Sequence, residues 1–219
     1  MSEIASTRAG RIQGRLARRG LSFRGIPYAE APIGPLRFRA AAPIAAWSDV
    51  RDVTHFGHSA PQSGVDNWLV RRFIGSAAVR QSEDCLYLNV WTPGLDAKRR
   101  AVLVFIHGGA FLMGSGSTLL YDGARLAERG DVVVVTINYR LGALGALDLR
   151  SAFPGKETDA NTGLRDQIEA LRWVRENIEA FGGDPESVTV FGESAGAMSI
   201  GALLGVPAAR GLFRRAILQ

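Results

Sequence analysis

The sequence is poor in cysteine and lysine and contains no long apolar run. Cys85 is the only cysteine in 219 residues, so an intrachain disulfide is impossible and a disulfide scaffold is excluded. The apolar runs fall far short of the roughly 20 residues of a membrane-spanning helix, so no membrane association is expected. Residues 1–20 contain neither an apolar segment nor a cleavage pattern of a signal peptide, and a cytoplasmic location is expected.

The composition is that of an ordinary globular chain with an excess of arginine. Hydrophobic residues make up 47% and charged residues 21%, which excludes an intrinsically disordered chain. The net charge is +5, and Lys98 and Lys156 are the only lysines among 26 basic residues. A basic chain can bind nucleic acid, but these arginines are spread along the whole length. The pattern favours a solvated surface, and no nucleic-acid partner is expected.

From residue 86 onward, apolar runs alternate with helical patterns. The runs typical of strands are residues 86–92, 101–107, 131–139, 187–193 and 213–219. Helices are predicted at 123–130, 161–181 and 194–204; the first ends in glycine, and Gly182-Gly183 stop the second. This alternation implies a mostly parallel central sheet with helices on both faces, an α/β fold. The first 80 residues are predicted to be irregular, with short strands.

The strongest chemical signal is the G-x-S-x-G run at residues 192–196, directly after a predicted strand and before a predicted helix. A nucleophilic serine needs this context, because a tight strand-to-helix turn exposes its hydroxyl above the sheet. The following helix then directs its N-terminal N–H groups at developing negative charge. The alternative is a helix-capping serine between two turn glycines. The flanking strand and helix favour the catalytic interpretation of Ser194.

A second signal is His107-Gly108-Gly109-Ala110, immediately after the apolar run 101–106. Acyl transfer needs donors aimed at a tetrahedral oxyanion. In hydrolases with a G-x-S-x-G nucleophile turn, a glycine-rich loop after an earlier strand supplies such donors. The two glycines could also form an ordinary turn. We expect His107 to be a hydrogen-bonded structural residue that shapes this loop rather than a base.

Long stretches of the chain resemble the type B carboxylesterases, the carboxylesterase/cholinesterase group of α/β-hydrolases. The likeness covers nearly the whole chain in the family's order. The matching stretches are FRGIPYAEAPIGPLRF (23–38), EDCLYLNVWTP (83–93), HGGAFLMGSG (107–116), NYRLGALG (138–145), TGLRDQIEALRWVRENIEAFGGDP (162–185) and FGGDPESVTVFGESAG (181–196).

The resemblance implies roles for individual residues. Ser194 corresponds to the nucleophile that accepts the acyl group, and the backbone N–H groups of Gly109, Ala110 and Ala195 correspond to the oxyanion hole. No cofactor and no metal are expected.

Gly108 and Glu193 correspond to the substrate pocket. Glu193 would add negative potential there and is not the triad acid of the family. Structural ion pairs of relatives correspond to Arg37 with Glu83 and to Arg140 with Asp166.

The main departure from the family pattern concerns the catalytic triad. In the family an acid and a histidine follow the nucleophile, but no histidine follows Ser194 here. Residues 1–219 are therefore expected to be the N-terminal portion of a single α/β-hydrolase domain, truncated after the nucleophile helix and the next strand. His55 and His58 lie in THFGHSAPQ and are expected to be neither the base nor a metal pair.

Two further departures concern cysteine and tryptophan. Many relatives pair the cysteine at position 85 with one in an FGxxCPQ-like stretch, where this chain has Ala60, which fits a reducing compartment. Cholinesterases carry a tryptophan at the position of Gly75, and Trp68 is too far along the chain to replace it. Choline ester specificity is therefore not expected.

Three functions compete on this sequence. The first is a serine carboxylesterase that acts on small-molecule esters through an acyl-enzyme on Ser194, with the base and acid supplied from outside this stretch. The second is a non-catalytic interaction module, as in some cholinesterase-like domains. The third is a truncated, inactive product. Both site motifs are intact, which favours an enzyme lineage.

Overall fold

The computed structural model describes residues 3–63 and 80–219, and within these ranges the strands form two sheets. The small sheet has the order β1-β2-β5, and the large sheet has the order β10-β9-β7-β8-β6-β4-β3. The strands are β1 (Ile4–Ser6), β2 (Arg11–Gln13), β3 (Arg15–Ala17), β4 (Gly20–Pro27), β5 (Val50–Asp52), β6 (Tyr87–Thr92), β7 (Arg100–Ile106), β8 (Val133–Ile137), β9 (Gly183–Gly192) and β10 (Arg215–Leu218).

The helices connect the strands of the large sheet. Between β7 and β10 they are α1 (Ala124–Gly130), α2 (Gly142–Ala146), α3 (Thr162–Asn177) and α4 (Ala195–Gly205). Single turns of 3₁₀-helix lie at Gly34–Leu36, Leu119–Tyr121, Ile178–Phe181 and Pro207–Ala209. In the described part of the chain, no helix combines the length and the apolar character needed to cross a bilayer.

The large sheet is parallel in one half and antiparallel in the other. Strands β10, β9, β7 and β8 pair in parallel, while β8, β6, β4 and β3 pair antiparallel. The parallel half contains the predicted βαβ units, which confirms the α/β class. All carboxyl ends of the parallel strands lie at one edge, and residues directly after them can form a common site.

The central strand β8 shows how both faces of this sheet are buried. Its residues alternate in direction, so Val133, Val135 and Ile137 join the main core, whereas Val134 packs with Trp91 and α1 on the other face. Helices α3 and α4 cover the main-core face. A continuous apolar strand of this kind is typical of a sheet covered on both sides.

The structure adds elements that the sequence pattern did not indicate. The eight-residue β4 lies in the region expected to be irregular, and it pairs with β6 across a register shift between Phe23 and Ile26. The short helix α2 was not predicted. The helix expected at 161–181 is α-helical only to Asn177 and then tightens to a 3₁₀ turn, which ends at Gly182 with φ 74°. The other predicted strands and helices are confirmed.

A buried ion pair joins the end of β8 to α3. Arg140 and Asp166 are 3% and 0% exposed, and the Arg140 backbone N–H, Nε and Nη2 all donate to the Asp166 carboxylate at 2.7–3.0 Å. Arg37 and Glu83 form the second expected pair, at 2.6 Å on the surface. Both pairs implied by the resemblance are present.

Replacing Asp166 by Ala is expected to destabilise the fold by about 3–5 kcal/mol, because it leaves a buried guanidinium without its counter-charge. Urea denaturation followed by circular dichroism measures this loss. The matched control is Glu83→Ala, which breaks the exposed pair and should cost far less. Equal losses in the two variants would contradict a structural role for the buried pair.

Candidate active site

Ser194 lies at the turn between β9 and α4, in a backbone conformation rarely adopted outside glycine. Its φ is 55° and its ψ is −120°, and the residue is exposed. Such a conformation costs on the order of 1–3 kcal/mol and persists only where neighbouring bonds impose it. Residues 192–196, called here the serine turn, therefore depend on support from the surrounding strands.

Hydrogen bonds from both sides hold the serine turn. The Ser194 N–H donates to the carbonyl of Gln219 at 2.9 Å, and the Gln219 N–H donates to Gly192 at 3.0 Å. On the helix side, Gly196 donates to Glu193 at 2.9 Å and Met198 donates to Ser194 at 2.9 Å. The end of β10 and the first turn of α4 thus fix the strained residue between them.

The turn glycines allow α4 to begin directly against β7. A Cβ at Gly196 would overlap the Ile106 carbonyl oxygen and lie 3.0 Å from that of His107. A Cβ at Gly192 would lie 2.8 Å from the same Ile106 oxygen. Any side chain at these positions would push the helix away, which is the steric reason for glycine on both sides of Ser194.

Residues 107–114, called here the glycine loop, form a tight turn at the end of β7. The Gly109 carbonyl accepts from the N–H groups of Leu112 and Met113, each at 3.0 Å. Gly109, Ala110 and Phe111 have φ values of 109°, 55° and 61°. Ala110 and Phe111 adopt this left-handed backbone conformation although each has a Cβ, so this loop is also strained.

His107 is a structural part of the glycine loop, as the sequence predicted. It is 1% exposed, its Nδ1 lies 2.8 Å from the Gly108 carbonyl, and its ring stacks on Tyr139 at 4.5 Å. A carbonyl only accepts, so Nδ1 carries the proton. The Tyr139 hydroxyl donates to the His107 carbonyl at 2.8 Å. Burial lowers the pKa of His107 to about 4, so the ring is neutral at pH 7.

The glycine loop packs against the serine turn. A Cβ at Gly108 would lie 2.6 Å from the Glu193 carbonyl, 2.7 Å from its Oε2 and 3.2 Å from Ser194 Cβ. Within residues 3–63 and 80–219, the N–H groups of Gly109, Ala110 and Ala195 donate to no other group. Ala195 is the first residue of α4, where an N–H has no partner inside the helix. The donors singled out in the sequence are therefore free in the described structure.

Glu193 brings negative charge to the mouth of this site. It is exposed beside Ser194, and its charge reaches Tyr121. Burial, with a smaller contribution from the Glu193 carboxylate, raises the pKa of Tyr121 above its ordinary value. The site therefore combines free backbone donors with one nearby carboxylate.

A base beside Ser194 is absent from the described residues. No side chain there exchanges a hydrogen bond with its hydroxyl. His55 borders Gly25 of β4, and β6, β8 and β7 separate that strand from β9. The His58 carbonyl accepts from Asn138 after β8 at 2.9 Å. In the same ranges, no group of three or more His, Cys, Asp or Glu side chains could hold a metal ion.

An apolar cleft of about 300 Å³ opens one helical turn from Ser194. It is lined by Phe111 of the glycine loop, Met198 and Ala202 of α4, and Leu164 and Gln167 of α3. Gln167 donates to Ser199 at 3.1 Å. The cleft offers space for a small apolar group close to the serine turn.

Sequence reasoning missed two residues that support the glycine loop. Tyr139, which stacks on His107, lies in the stretch NYRLGALG, and Gln62, which bonds to Gly114, ends FGHSAPQ. Only the presence of these residues in matching stretches could have indicated them, because both contacts join distant parts of the chain. Trp68 and Gly75, used above against choline ester specificity, lie outside the described residues.

The comparison with known proteins agrees with this geometry. A model of the carboxylesterase family matches residues 1–219. Para-nitrobenzyl esterase of Bacillus subtilis (strain 168) is 51% identical over 217 residues, which is 99% of this chain and 43% of that protein. Phenmedipham hydrolase of Pseudarthrobacter oxydans is 49% identical over 217 residues, 99% of this chain and 42% of that protein. The chain belongs to the carboxylesterase family.

Solved structures confirm the predicted fold. The chain is similar to a thermophilic PNB esterase, with a TM-score of 0.91 and 50% identity over 100% of this chain and 44% of that one. A carboxylesterase of Geobacillus stearothermophilus gives a TM-score of 0.89 and 49% identity over 98% and 43% of the two chains. The fold is that of an α/β-hydrolase. The chain spans less than half the length of these relatives.

The neutral, buried His107 makes the stability of the fold depend on pH. As the pH falls from about 6.5 to about 4, the unfolded chain binds a proton at this residue that the folded chain does not. The folded state should lose up to about 3 kcal/mol across this range. His107→Phe keeps a ring beside Tyr139 and should remove this part of the dependence.

Urea midpoints measured between pH 7 and pH 4.5 test the effect. The variant should be less stable than the parent at pH 7, because the bond to Gly108 is lost, but its curve should fall less steeply toward acid. Parallel curves for parent and variant would show that His107 is not held neutral in the fold.

Proposed function

We propose that this chain is the nucleophile-bearing part of a serine carboxylesterase. The Ser194 Oγ attacks the carbonyl carbon of a carboxylic ester, and its proton passes to a base. The tetrahedral intermediate then expels the alcohol, which takes up that proton, and leaves an acyl group on Ser194. Water, activated by the same base, attacks the acyl-enzyme and releases the carboxylic acid. The strained, exposed conformation of Ser194 is the observation that carries the proposal.

The oxyanion hole of this reaction consists of the N–H groups of Gly109, Ala110 and Ala195. The proposal is supported by two observations: all three donors are free in the described structure, and Gly108 packs so closely against Glu193 and Ser194 that a Cβ would clash. Donors fixed before the reaction stabilise the developing charge without reorganisation. Glu193 and Gly108 form the part of the substrate pocket next to Ser194.

The base and its acid come, on this proposal, from polypeptide other than the described residues. His107 is neutral and engaged with Gly108, while His55 and His58 belong to other parts of the fold. Residues 1–219 then form the N-terminal portion of one α/β-hydrolase domain. The match to less than half of each relative is consistent with this division.

The substrate is a small-molecule ester with an apolar part, and the reaction needs no cofactor. The cleft between Phe111 and Met198 supplies the apolar surface for such a group. Cys85 is a free, buried thiol in the same core cluster as Ala60, where many relatives have a cysteine pair. The unpaired thiol supports a reducing, cytoplasmic location.

Ser194→Ala should abolish ester hydrolysis, lowering kcat by about four orders of magnitude or more, because it removes the attacking oxygen. The assay uses a p-nitrophenyl ester and labelling by a fluorophosphonate, in a polypeptide that joins this chain to its triad partners. Ser6→Ala is the control, since it removes an exposed hydroxyl on β1 of the small sheet and should retain activity. Retained turnover in Ser194→Ala would refute the proposal, whereas a parent that shows neither hydrolysis nor labelling at Ser194 would favour a non-catalytic module.

Gly108→Ala should lower kcat about a hundredfold, because the added methyl group displaces the glycine loop from the Glu193 carbonyl and misplaces the donors. Gly205→Ala, at the end of α4, has open space around its Cβ and is the matched control. The two variants are compared by kcat and by thermal melting. Unchanged kcat in Gly108→Ala would show that the loop does not set the oxyanion donors.

A further inference from the structure

The side chain of Gln62 satisfies both backbone polar groups of Gly114. Its Oε1 accepts from the Gly114 N–H at 2.9 Å, and its Nε2 donates to the Gly114 carbonyl at 3.1 Å. The same Nε2 donates to the Ala60 carbonyl at 3.1 Å, and the Gln62 backbone N–H donates to Gln81 Oε1 at 2.9 Å. One half-buried amide thus joins residues 52 positions apart in the chain.

Gly114 lies directly against the part of the glycine loop that faces the serine turn. Its φ is 116°, and a Cβ there would overlap His107 Nδ1 and lie 2.6 Å from the Gly108 carbonyl oxygen. These two atoms form the hydrogen bond that shapes the start of the loop. A displacement of Gly114 would therefore disturb the hydrogen bond between His107 and Gly108 directly, whether or not substrate is bound.

The glycine loop needs support from outside because its own conformation is strained. Ala110 and Phe111 are consecutive residues with a Cβ in the left-handed region. Strained residues hold such conformations only where surrounding contacts impose them. At its start the loop continues from β7, at Phe111 the carbonyl accepts from Gly142 at 2.7 Å, and at its end Gln62 holds Gly114.

We propose that Gln62 is a positioning residue for the oxyanion hole, acting through its two hydrogen bonds to Gly114. This inference rests on the proposed function, since it gives a role to a residue that touches neither the substrate nor Ser194. Loss of the amide leaves the Gly114 N–H and carbonyl without their partner. The glycine loop then relaxes, and the N–H groups of Gly109 and Ala110 leave their aligned position.

The first test is amide hydrogen exchange of the chain itself, measured by mass spectrometry. Gln62→Ala should speed exchange in peptides that cover residues 107–116. Gln62→Met, which keeps a side chain of similar size without the amide, should do the same and guards against a simple packing defect. Gln81→Ala is the matched control, because it removes a hydrogen bond to the same segment while leaving the Gln62 side chain on Gly114. Unchanged exchange in 107–116 for both Gln62 variants would overturn the proposal.

The second test separates positioning from general stability. In a polypeptide that hydrolyses esters, Gln62→Met should lower kcat by about ten- to a hundredfold with little change in KM, because the loss falls on the transition state. Gln81→Ala should retain kcat. Faster loop exchange with an unchanged kcat would overturn the positioning role, as would equal losses of kcat in the Gln62 and Gln81 variants.

Failure of the proposed function is recognised separately. In that case the parent protein shows no hydrolysis that depends on Ser194, whereas the exchange experiment still decides whether Gln62 holds the loop. If the exchange experiment shows that Gln62 holds the glycine loop but the parent has no hydrolysis, Gln62 supports the structure only, and its positioning role in catalysis is overturned.

Discussion

The register between β7 and β9 is the constraint on which the rest of the site depends. The two strands run parallel with Ile106 opposite Gly192, so both end at the same level of the sheet. The residues that follow, the glycine loop and the serine turn, are therefore brought next to each other by the main-chain pairing of β7 with β9. A shift by one residue would turn the side chains of one strand to the opposite face and separate the two segments.

Strain is concentrated where these two segments meet. Ser194, Ala110 and Phe111 all have positive φ values although each carries a Cβ. Two of them are held by bonds to other elements: Ser194 by the residue after β10 and by α4, and Phe111 by the start of α2. Conformations of this cost are common at functional sites because rigid surroundings can maintain them. The packed core behind the site, in which the buried Arg140–Asp166 pair joins the end of β8 to α3, provides that rigidity.

Much of the parallel half of the fold was predictable, because its strands are continuous apolar runs separated by helices of clear periodicity. The antiparallel half was less so. Strand β4 is interrupted at Gly25, which has φ 72° and lies where the register shifts, and its polar residue Ser22 is buried. Such a strand gains its stability from neighbours on both sides, and its own pattern is too irregular to indicate it.

By itself the sequence determined the local chemistry: a serine between glycines after a buried strand, a glycine loop after another, and a histidine expected to be structural. These follow from short-range sterics and from apolar periodicity, which act between residues close in the chain. Tertiary structure alone decided that Gly108 lies too close to the serine turn to carry a Cβ, that Tyr139 stacks on His107 and that Gln62 bonds Gly114. Those contacts join residues tens of positions apart, and their geometry exists only once the sheet has paired in its register.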